Sequence, residues 1–380
     1  MDYADFANNK SYTFGDASKG EEQPMKIEKL DKNFVQSKYD CADDRKTYII
    51  PSDGFDLYGV FYDEKSGRFM RMDADVAQRV SEGVGYLTTH TSGGRIRFST
   101  DSPTIGITVS YSSLDQMSHM PLTGSCGFAL LKKDGKKYKT IGMFRPSPTD
   151  DKGYSGEVET EEKGRQEYIL YFPLYNNVTK LEIHLDSSAN LYPAEKYRDV
   201  KPILYYGASI DQGGCASRPD SAYPAILSKW NDIDFINLGF SGNAKGEKLM
   251  AEYLTQIDCS LCFMAYDGNA PTVEFLEDTH FKFYQTYRKV RKDVPVIFMS
   301  LPSFEYFKDT ERRREVLKKS CEKARALGDD NVYFIDGETL YGEKDREICT
   351  VEGAHPNDLG FWRIASHIYE HFGKIDKKFL

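Results

Sequence analysis

The hydrophobic rhythm of this chain changes once, near residue 200, and that change constrains the fold more than any other feature. From about Thr47 to Leu191, apolar residues alternate with polar or small ones. Ile105, Ile107, Val109 and Tyr111 are separated by Gly106, Thr108 and Ser110, and Leu181, Ile183 and Leu185 repeat the pattern. A period of two belongs to strands whose two faces meet different surroundings. Lys133-Asp134-Gly135-Lys136 lies between two such runs and predicts a tight hairpin. Several short strands with such turns predict a β-sandwich. Residues 1 to about 46 are polar and weakly patterned, and are expected to drape over the sandwich as a lead-in.

After Lys201 the rhythm becomes strand, then helix, repeated. Short apolar runs occupy 202–207, 234–239, 260–268, 295–302 and 331–337. Helical stretches lie between them at 221–231, 245–257, 272–292 and 310–327, with a last one at 358–372. This alternation predicts a parallel sheet covered by helices on both faces, an α/β domain. The boundary falls near 192–200, in the polar, proline-bearing YPAEKYRDV, giving expected domains of 1–195 and 196–380. Two or three domains suit 380 residues at roughly 150 each.

Charge and apolar content exclude several classes of function. Fifty Lys and Arg against 59 Asp and Glu leave a net charge of −9, which repels phosphate backbones and anionic lipids. Nucleic-acid and membrane partners are therefore not expected. The longest apolar run, Leu261 to Tyr266, is far short of the roughly 20 residues of a membrane span. The opening MDYADFANNK has neither the basic patch nor the apolar stretch of a signal peptide, so a cytoplasmic setting is expected, a leader already removed aside. Seven irregularly spaced cysteines fit reduced, structural thiols. Cys259 and Cys262 form a C-x-x-C without a second pair, and strand alternation should put their thiols on opposite faces, so no zinc site is expected.

In open α/β sheets, ligands bind beyond the carboxyl ends of the strands. Four loops lie there: Gly207-Ala208-Ser209-Ile210, Gly239-Phe240-Ser241-Gly242-Asn243, Asp267-Gly268-Asn269-Ala270, and Glu352-Gly353-Ala354-His355-Pro356-Asn357-Asp358. They supply what acyl transfer needs. Ser209 is the candidate nucleophile and His355 the base. The N–H groups of Ser209 and Gly242 and the amide of Asn269 are a candidate oxyanion hole, and Glu352 is placed to orient His355. Ser209, Asn269 and Gly242 also have plainer readings as helix caps and a turn glycine, and Glu352 as an exposed loop carboxylate.

With these residues on the page, the second half resembles the SGNH (GDSL-like) hydrolases, whose four blocks carry Ser, Gly, Asn and His in that order. YGASIDQGGCASRPDSAYPAIL, INLGFSGNAKGE and HPNDLGF carry the likeness. Glu352-x-x-His355 departs from the usual Asp-x-x-His. Gly54-Phe55-Asp56-Leu57-Tyr58 is similar to the Gly-x-Asp-Leu-Tyr signature of a subgroup of SGNH-type esterases with an N-terminal β-sandwich. The resemblance runs from about residue 50 to the end. It implies a flavodoxin-like three-layer αβα domain after a jelly-roll-like sandwich. It also implies a serine esterase acting on short acyl groups, most plausibly acetyl, of carbohydrates, with no metal or organic cofactor.

The remaining histidines read as structural. His367 and His371 are four apart on the last helix without a third ligand, His184 lies in a strand and His280 in a helix. His119 is the exception: its loop, Asp115 to Pro121, is a candidate to lean over the site and meet substrate. Arg218 is a second, weaker substrate-binding candidate, fixing of its own loop being the stronger reading. A Gly-x-Ser-x-Gly elbow and a P-loop are absent, and Gly83-Val84-Gly85 lacks the third glycine of a dinucleotide fingerprint. The expected partner is a small-molecule or oligosaccharide ester, and a homo-oligomer is compatible with the sequence. Two alternatives stand: an inactive carbohydrate-binding relative, suggested by Glu352, and a lipid or thioester hydrolase, which would need an apolar lid not evident here.

Overall fold

Alternation becomes two antiparallel sheets. The computed structural model describes residues 44–160, 164–302 and 309–379, so the expected lead-in falls almost entirely outside the described residues. The strands of the first half are β1 (Arg45–Ile49), β2 (Asp56–Tyr58), β3 (Phe61–Asp63), β4 (Arg68–Met70), β5 (Arg95–Thr100) and β6 (Thr104–Ser110). They continue with β7 (Phe128–Asp134), β8 (Lys137–Phe144), β9 (Gly153–Glu159), β10 (Gln166–Tyr171), β11 (Lys180–Asp186) and β12 (Leu191–Tyr192). One sheet runs β1-β11-β6-β9; the other runs β12-β5-β10-β7-β8, with β2 added on β5. Ile107 pairs with Ile183 and Val109 with Leu181. These alternating side chains pack onto Ile96, Phe98, Leu130 and Leu170 of the opposite sheet, which is the sandwich core. The hairpin lies where the turn residues put it. Asp134 faces Lys137, and Gly135 takes the positive φ (60°) that a two-residue turn requires.

The other face of that second sheet is also buried. In Arg95-Ile96-Arg97-Phe98 the two apolar side chains enter the sandwich, while the two arginines point away from it yet are inaccessible to solvent. Arg95 donates to Tyr197 Oη (2.7 Å) and the Phe235 carbonyl (3.2 Å), pairs with Asp234, and lies 4.0 Å over the Phe235 ring. Arg97 pairs with Asp232 at 3.0 Å. Leu131, Ile169 and Tyr171 join one apolar cluster with Tyr205, Phe235 and Phe263 of the second half. A buried guanidinium is tolerated only with such partners. The sandwich is thus fused to the second half through a face that strand alternation alone would assign to solvent.

The second half is a five-stranded parallel sheet. Its strands are β13 (Ile203–Gly207), β14 (Phe235–Gly239), β15 (Leu261–Ala265), β16 (Val296–Met299) and β17 (Val332–Ile335), ordered β14-β13-β15-β16-β17. Helices Tyr223–Asn231 and Asp358–Ile375 cover one face; Lys248–Leu254, Val273–Val290 and Thr310–Ala326 cover the other. All lie within a few residues of the predicted stretches. The chain moves from β13 outward to β14, then returns to β15 on the opposite side. The switch point is therefore between the carboxyl ends of β13 and β15, the place where open α/β sheets bind their ligands.

Among the described residues, no helix is long and apolar enough to cross a membrane. The six described cysteines are buried and unpaired. The expected separation of Cys259 and Cys262 is not observed. Cys259 precedes β15, so strand alternation does not apply to it, and both residues share one core layer, with Cys259 Sγ 3.3 Å from the Tyr287 hydroxyl.

Candidate active site

β13 ends at Gly207, and the chain turns at once into the one-turn helix Ser209–Gln212. That turn is too tight for side chains at its crossings. A Cβ on Gly207 would sit 2.1 Å from the Asp211 carboxylate, and one on Gly239 would sit 2.3 Å from the Gln212 nitrogen. Asp211 is buried; it accepts from the Ala208 N–H at 2.8 Å and from the Tyr223 hydroxyl. Burial pushes its carboxyl up to about 7. Gly213, at φ 101°, stops the helix, and the N–H groups of Gly213 and Gly214 both donate to the Ser209 carbonyl, at 3.0 and 2.8 Å. The hydroxyl of Ser209 is thereby held at the carboxyl end of β13 by a tightly packed, hydrogen-bonded backbone.

The last loop meets it from outside. Val351 N donates to the His355 carbonyl at 2.9 Å, Thr350 bridges to Pro356, and Gly353 takes a positive φ (90°) between them. This tight turn folds the Glu352 side chain back onto His355. One Glu352 oxygen accepts from the His355 backbone N–H (3.0 Å) and contacts Nδ1 of the same ring. Nε2 of His355 lies 2.8 Å from Ser209 Oγ. A carboxylate, an imidazole and a hydroxyl are therefore joined in line, the arrangement in which an imidazole can accept a hydroxyl proton while the carboxylate holds its tautomer. The extra methylene of glutamate is absorbed by the fold-back of its own loop.

Two further loops follow the strands on either side of β13. Gly242 adopts φ 67°, with open space where a Cβ would stand. Ser241 N donates to Gln212 Oε1 at 3.0 Å, which ties this loop to the Ser209 turn. Asn269 Nδ2 donates to the Phe240 carbonyl at 3.1 Å, leaving its second amide proton uncommitted by that bond. Arg313 Nη1 anchors the Asn269 loop through the carbonyls of Asp267 (2.6 Å) and Ala270 (2.8 Å). Buried Asp267 accepts from Leu301 N at 3.1 Å, and burial pushes its carboxyl up to about 6.

Of the sequence candidates, Ser209, His355 and Glu352 are brought into direct contact, and the Gly242 and Asn269 loops are joined through Phe240. The exposed His119 ring, from the sandwich half, lies 6.2 Å from the His355 ring. Arg218 pairs with Asp220 at 3.3 Å and so ties its own turn. His367 and His371 stack at 4.8 Å, while His184 is held between the hydroxyls of Thr47 and Thr108 at 2.9 Å each.

Sequence reasoning missed the supports that come from the first half. Tyr175 donates to the Ser209 carbonyl at 3.3 Å. Arg71, buried, donates to the carbonyls of Gly239 (2.7 Å), Asn237 (3.1 Å) and Leu87 (2.6 Å), with its guanidinium 4.7 Å from the Phe240 ring centre. Neither sits in a motif; each acts across the junction of the two halves. Cys215 was also missed. Its thiol is buried beside Glu352, and burial together with that charge pushes it up to about 12.

Comparison with known proteins agrees with this architecture. Residues 200–372 match the GDSL-like lipase/acylhydrolase family model, and residues 47–191 match the GxDLY model, the N-terminus of SGNH-hydrolase-type esterases. A protein from Bacteroides ovatus described as a GDSL-like lipase superposes with a TM-score of 0.78 at 29% identity, over 87% of this chain and 98% of its own. A salicylyl-acyltransferase from a tetracycline biosynthetic pathway gives 0.71 at 20% identity, over 89% and 99%. An acetyl xylan esterase from the rumen bacterium Butyrivibrio proteoclasticus gives 0.58 at 13%, over 88% and 100%. No curated protein sequence matches significantly. With an αβα half matching one model and a sandwich half matching the other, the chain belongs to the GDSL-like (SGNH) hydrolases, in the form that carries an N-terminal GxDLY domain.

Proposed function

We propose that this hydrolase is a serine esterase that removes short acyl groups, acetyl above all, from carbohydrate esters. The observation that carries the reading is the contact of His355 Nε2 with Ser209 Oγ at 2.8 Å while Glu352 engages Nδ1. In this reading His355 takes the Ser209 proton as Oγ attacks the ester carbonyl. The N–H groups of Ser209 and Gly242 and the free amide proton of Asn269 receive the oxyanion, each donor being worth about 3–4 kcal/mol where it is well aligned. The imidazolium then protonates the leaving alcohol, and a water molecule, deprotonated by the same ring, releases the acid and restores Ser209.

Carbohydrate and acetyl specificity draw on the solved relatives, several of which are family-two carbohydrate esterases, together with the small residues around Ser209. The inactive alternative rested on glutamate in place of aspartate. The reach of Glu352 to both N–H groups of His355 favours the active reading. His119 is proposed to meet the sugar side of the substrate. The test is kcat/KM for 4-nitrophenyl esters from acetyl to octanoyl. The rate should fall with chain length, because an apolar pocket would return about 0.8 kcal/mol per buried methylene, whereas the described loops around Ser209 are built largely of small residues such as Gly207, Ala208, Gly242 and Ala354. A steady rise toward octanoyl would replace this reading with a lipase-like one.

A further inference from the structure

Cys215 stands at the site without a part in the chemistry proposed there. It lies in the turn after the Ser209 helix, is 4% exposed, and adopts φ 71°, a left-handed backbone that a residue with a side chain holds only when its surroundings enforce it. The donation of Gly214 N to the Ser209 carbonyl (2.8 Å) and of Ala216 N to the Gly213 carbonyl (3.1 Å) enforces it here. Its Sγ, a carboxylate oxygen of Glu352 and a ring nitrogen of His355 all lie within 4.8 Å of one another. Among the described residues this is the one such trio of metal-ligating side chains.

Thiolate, imidazole and carboxylate are the ligands that Zn²⁺ selects, at about 2.0–2.3 Å, and three protein ligands leave the fourth tetrahedral position open. The trio would close on an ion by movements of about an ångström. We propose that Cys215, Glu352 and His355 form an inhibitory site for a thiophilic divalent cation, with Zn²⁺ as its natural occupant. The ion takes the place of the proton between Glu352 and His355 Nδ1. Coordination uses the Nδ1 lone pair, so the single proton of the neutral ring moves to Nε2, the atom facing Ser209. One further proton leaves the Cys215 thiol for solvent. With Nε2 protonated, the ring has no lone pair to accept the Ser209 proton, and turnover stops until the cation is withdrawn.

The inhibition rests on the proposed role of His355, but the binding of the cation does not, so the two are tested separately. Cd²⁺ is titrated into wild type, Cys215→Ser, Glu352→Gln and Ser209→Ala, following the ultraviolet cadmium–thiolate absorption. In parallel, Zn²⁺ is titrated into wild type and Cys215→Ser during 4-nitrophenyl acetate turnover. Expected are one equivalent of cadmium–thiolate signal in wild type and Ser209→Ala, weaker binding in Glu352→Gln, and loss of the signal in Cys215→Ser. Zn²⁺ should inhibit wild type reversibly with EDTA, and Cys215→Ser should need about a hundredfold more. Absence of the signal in wild type, its persistence in Cys215→Ser, or equal Zn²⁺ sensitivity of the two proteins would overturn the site. A cadmium signal lost in Cys215→Ser, in a protein that hydrolyses no ester, would sink the esterase reading while leaving the cation site in place.

Discussion

The turns that carry Ser209 and His355 meet at the Ser209 Oγ–His355 Nε2 hydrogen bond but are built in opposite ways. The Ser209 turn is set by the core: Gly207 and Gly239 allow contacts closer than any side chain would, and Asp211 bonds Ala208 and Tyr223 out of reach of water. The His355 turn is set at the surface, by a bridge at Thr350, the positive φ of Gly353 and the fold-back of Glu352, whose side chain is 36% exposed. The difference teaches where each kind of damage should appear. Changes beneath Ser209 should cost folding and activity together, whereas changes around His355 should cost activity alone.

The largest expected effect, and the reference for the others, is Ser209→Ala. It removes a partly buried hydroxyl whose contact is with His355, so kcat/KM should fall by at least about 10⁴ with the melting temperature little changed. Undiminished hydrolysis would remove Ser209 from the chemistry. Gly207→Ala probes the core side of the comparison. Its Cβ would collide with Asp211 at 2.1 Å, and overpacking of this kind costs about 1–3 kcal/mol, so both the melting temperature and the rate should drop. A variant with wild-type stability and a lower rate would show that the Ser209 turn is less rigidly coupled to the core than its packing implies.

Much of this geometry was legible in sequence because it is local. The strand–helix alternation placed the runs that became β13–β17, and the carboxyl-end rule then selected the loops holding Ser209, Gly242, Asn269 and His355. The pairing of Glu352 with His355 was legible as a candidate too, from their three-residue spacing, although the course of the loop that joins them was not. What was not legible acts across the junction of the halves. Arg95 and Arg97 read as the solvent side of an alternating strand, yet they are buried against Asp234 and Asp232. Arg71 and Tyr175 support the Ser209 and Gly239 loops from more than 30 residues away in sequence, and nothing in their own neighbourhoods marks them. Pairings of that kind depend on how two finished surfaces meet, which no local period encodes.

Glu352→Gln probes the surface side. The amide keeps shape but lacks the charge that favours imidazolium formation, so kcat should fall by about 10–100-fold with KM little changed and the melting temperature within about 1 °C of wild type. The loss should be smaller than that of Ser209→Ala, because Glu352 is partly solvated and water screens its charge. Glu352→Asp should fall between wild type and Glu352→Gln, since it keeps the charge on a carboxylate one methylene short of the folded-back position. Wild-type rates in both variants would leave a serine–histidine dyad. A large fall in melting temperature would mean that the His355 turn also carries the fold, and the contrast between the two turns would be lost.

The smallest effect sharpens the contrast through pH. Asp211 has its carboxyl raised from 3.8 to about 7 by burial, so between those values the folded protein holds a proton that the unfolded chain has released. Stability from this group is therefore fully present below about pH 4 and is lost as pH rises through 7. The amide introduced by Asp211→Asn cannot titrate. Its oxygen can still accept from Tyr223, but its NH₂ group then faces the Ala208 N–H, donor against donor. The variant should lose about 1–3 kcal/mol at low pH for that unsatisfied donor, and its melting temperature should decline less steeply than that of wild type between pH 4.5 and 8. The slope should persist in part, since Asp267, raised to about 6 by burial, titrates in the same window with the same sign. If Asp211→Asn runs parallel to wild type, the proton beneath Ser209 is not held by the fold, and the Ser209 turn would be no more a product of the core than the His355 turn.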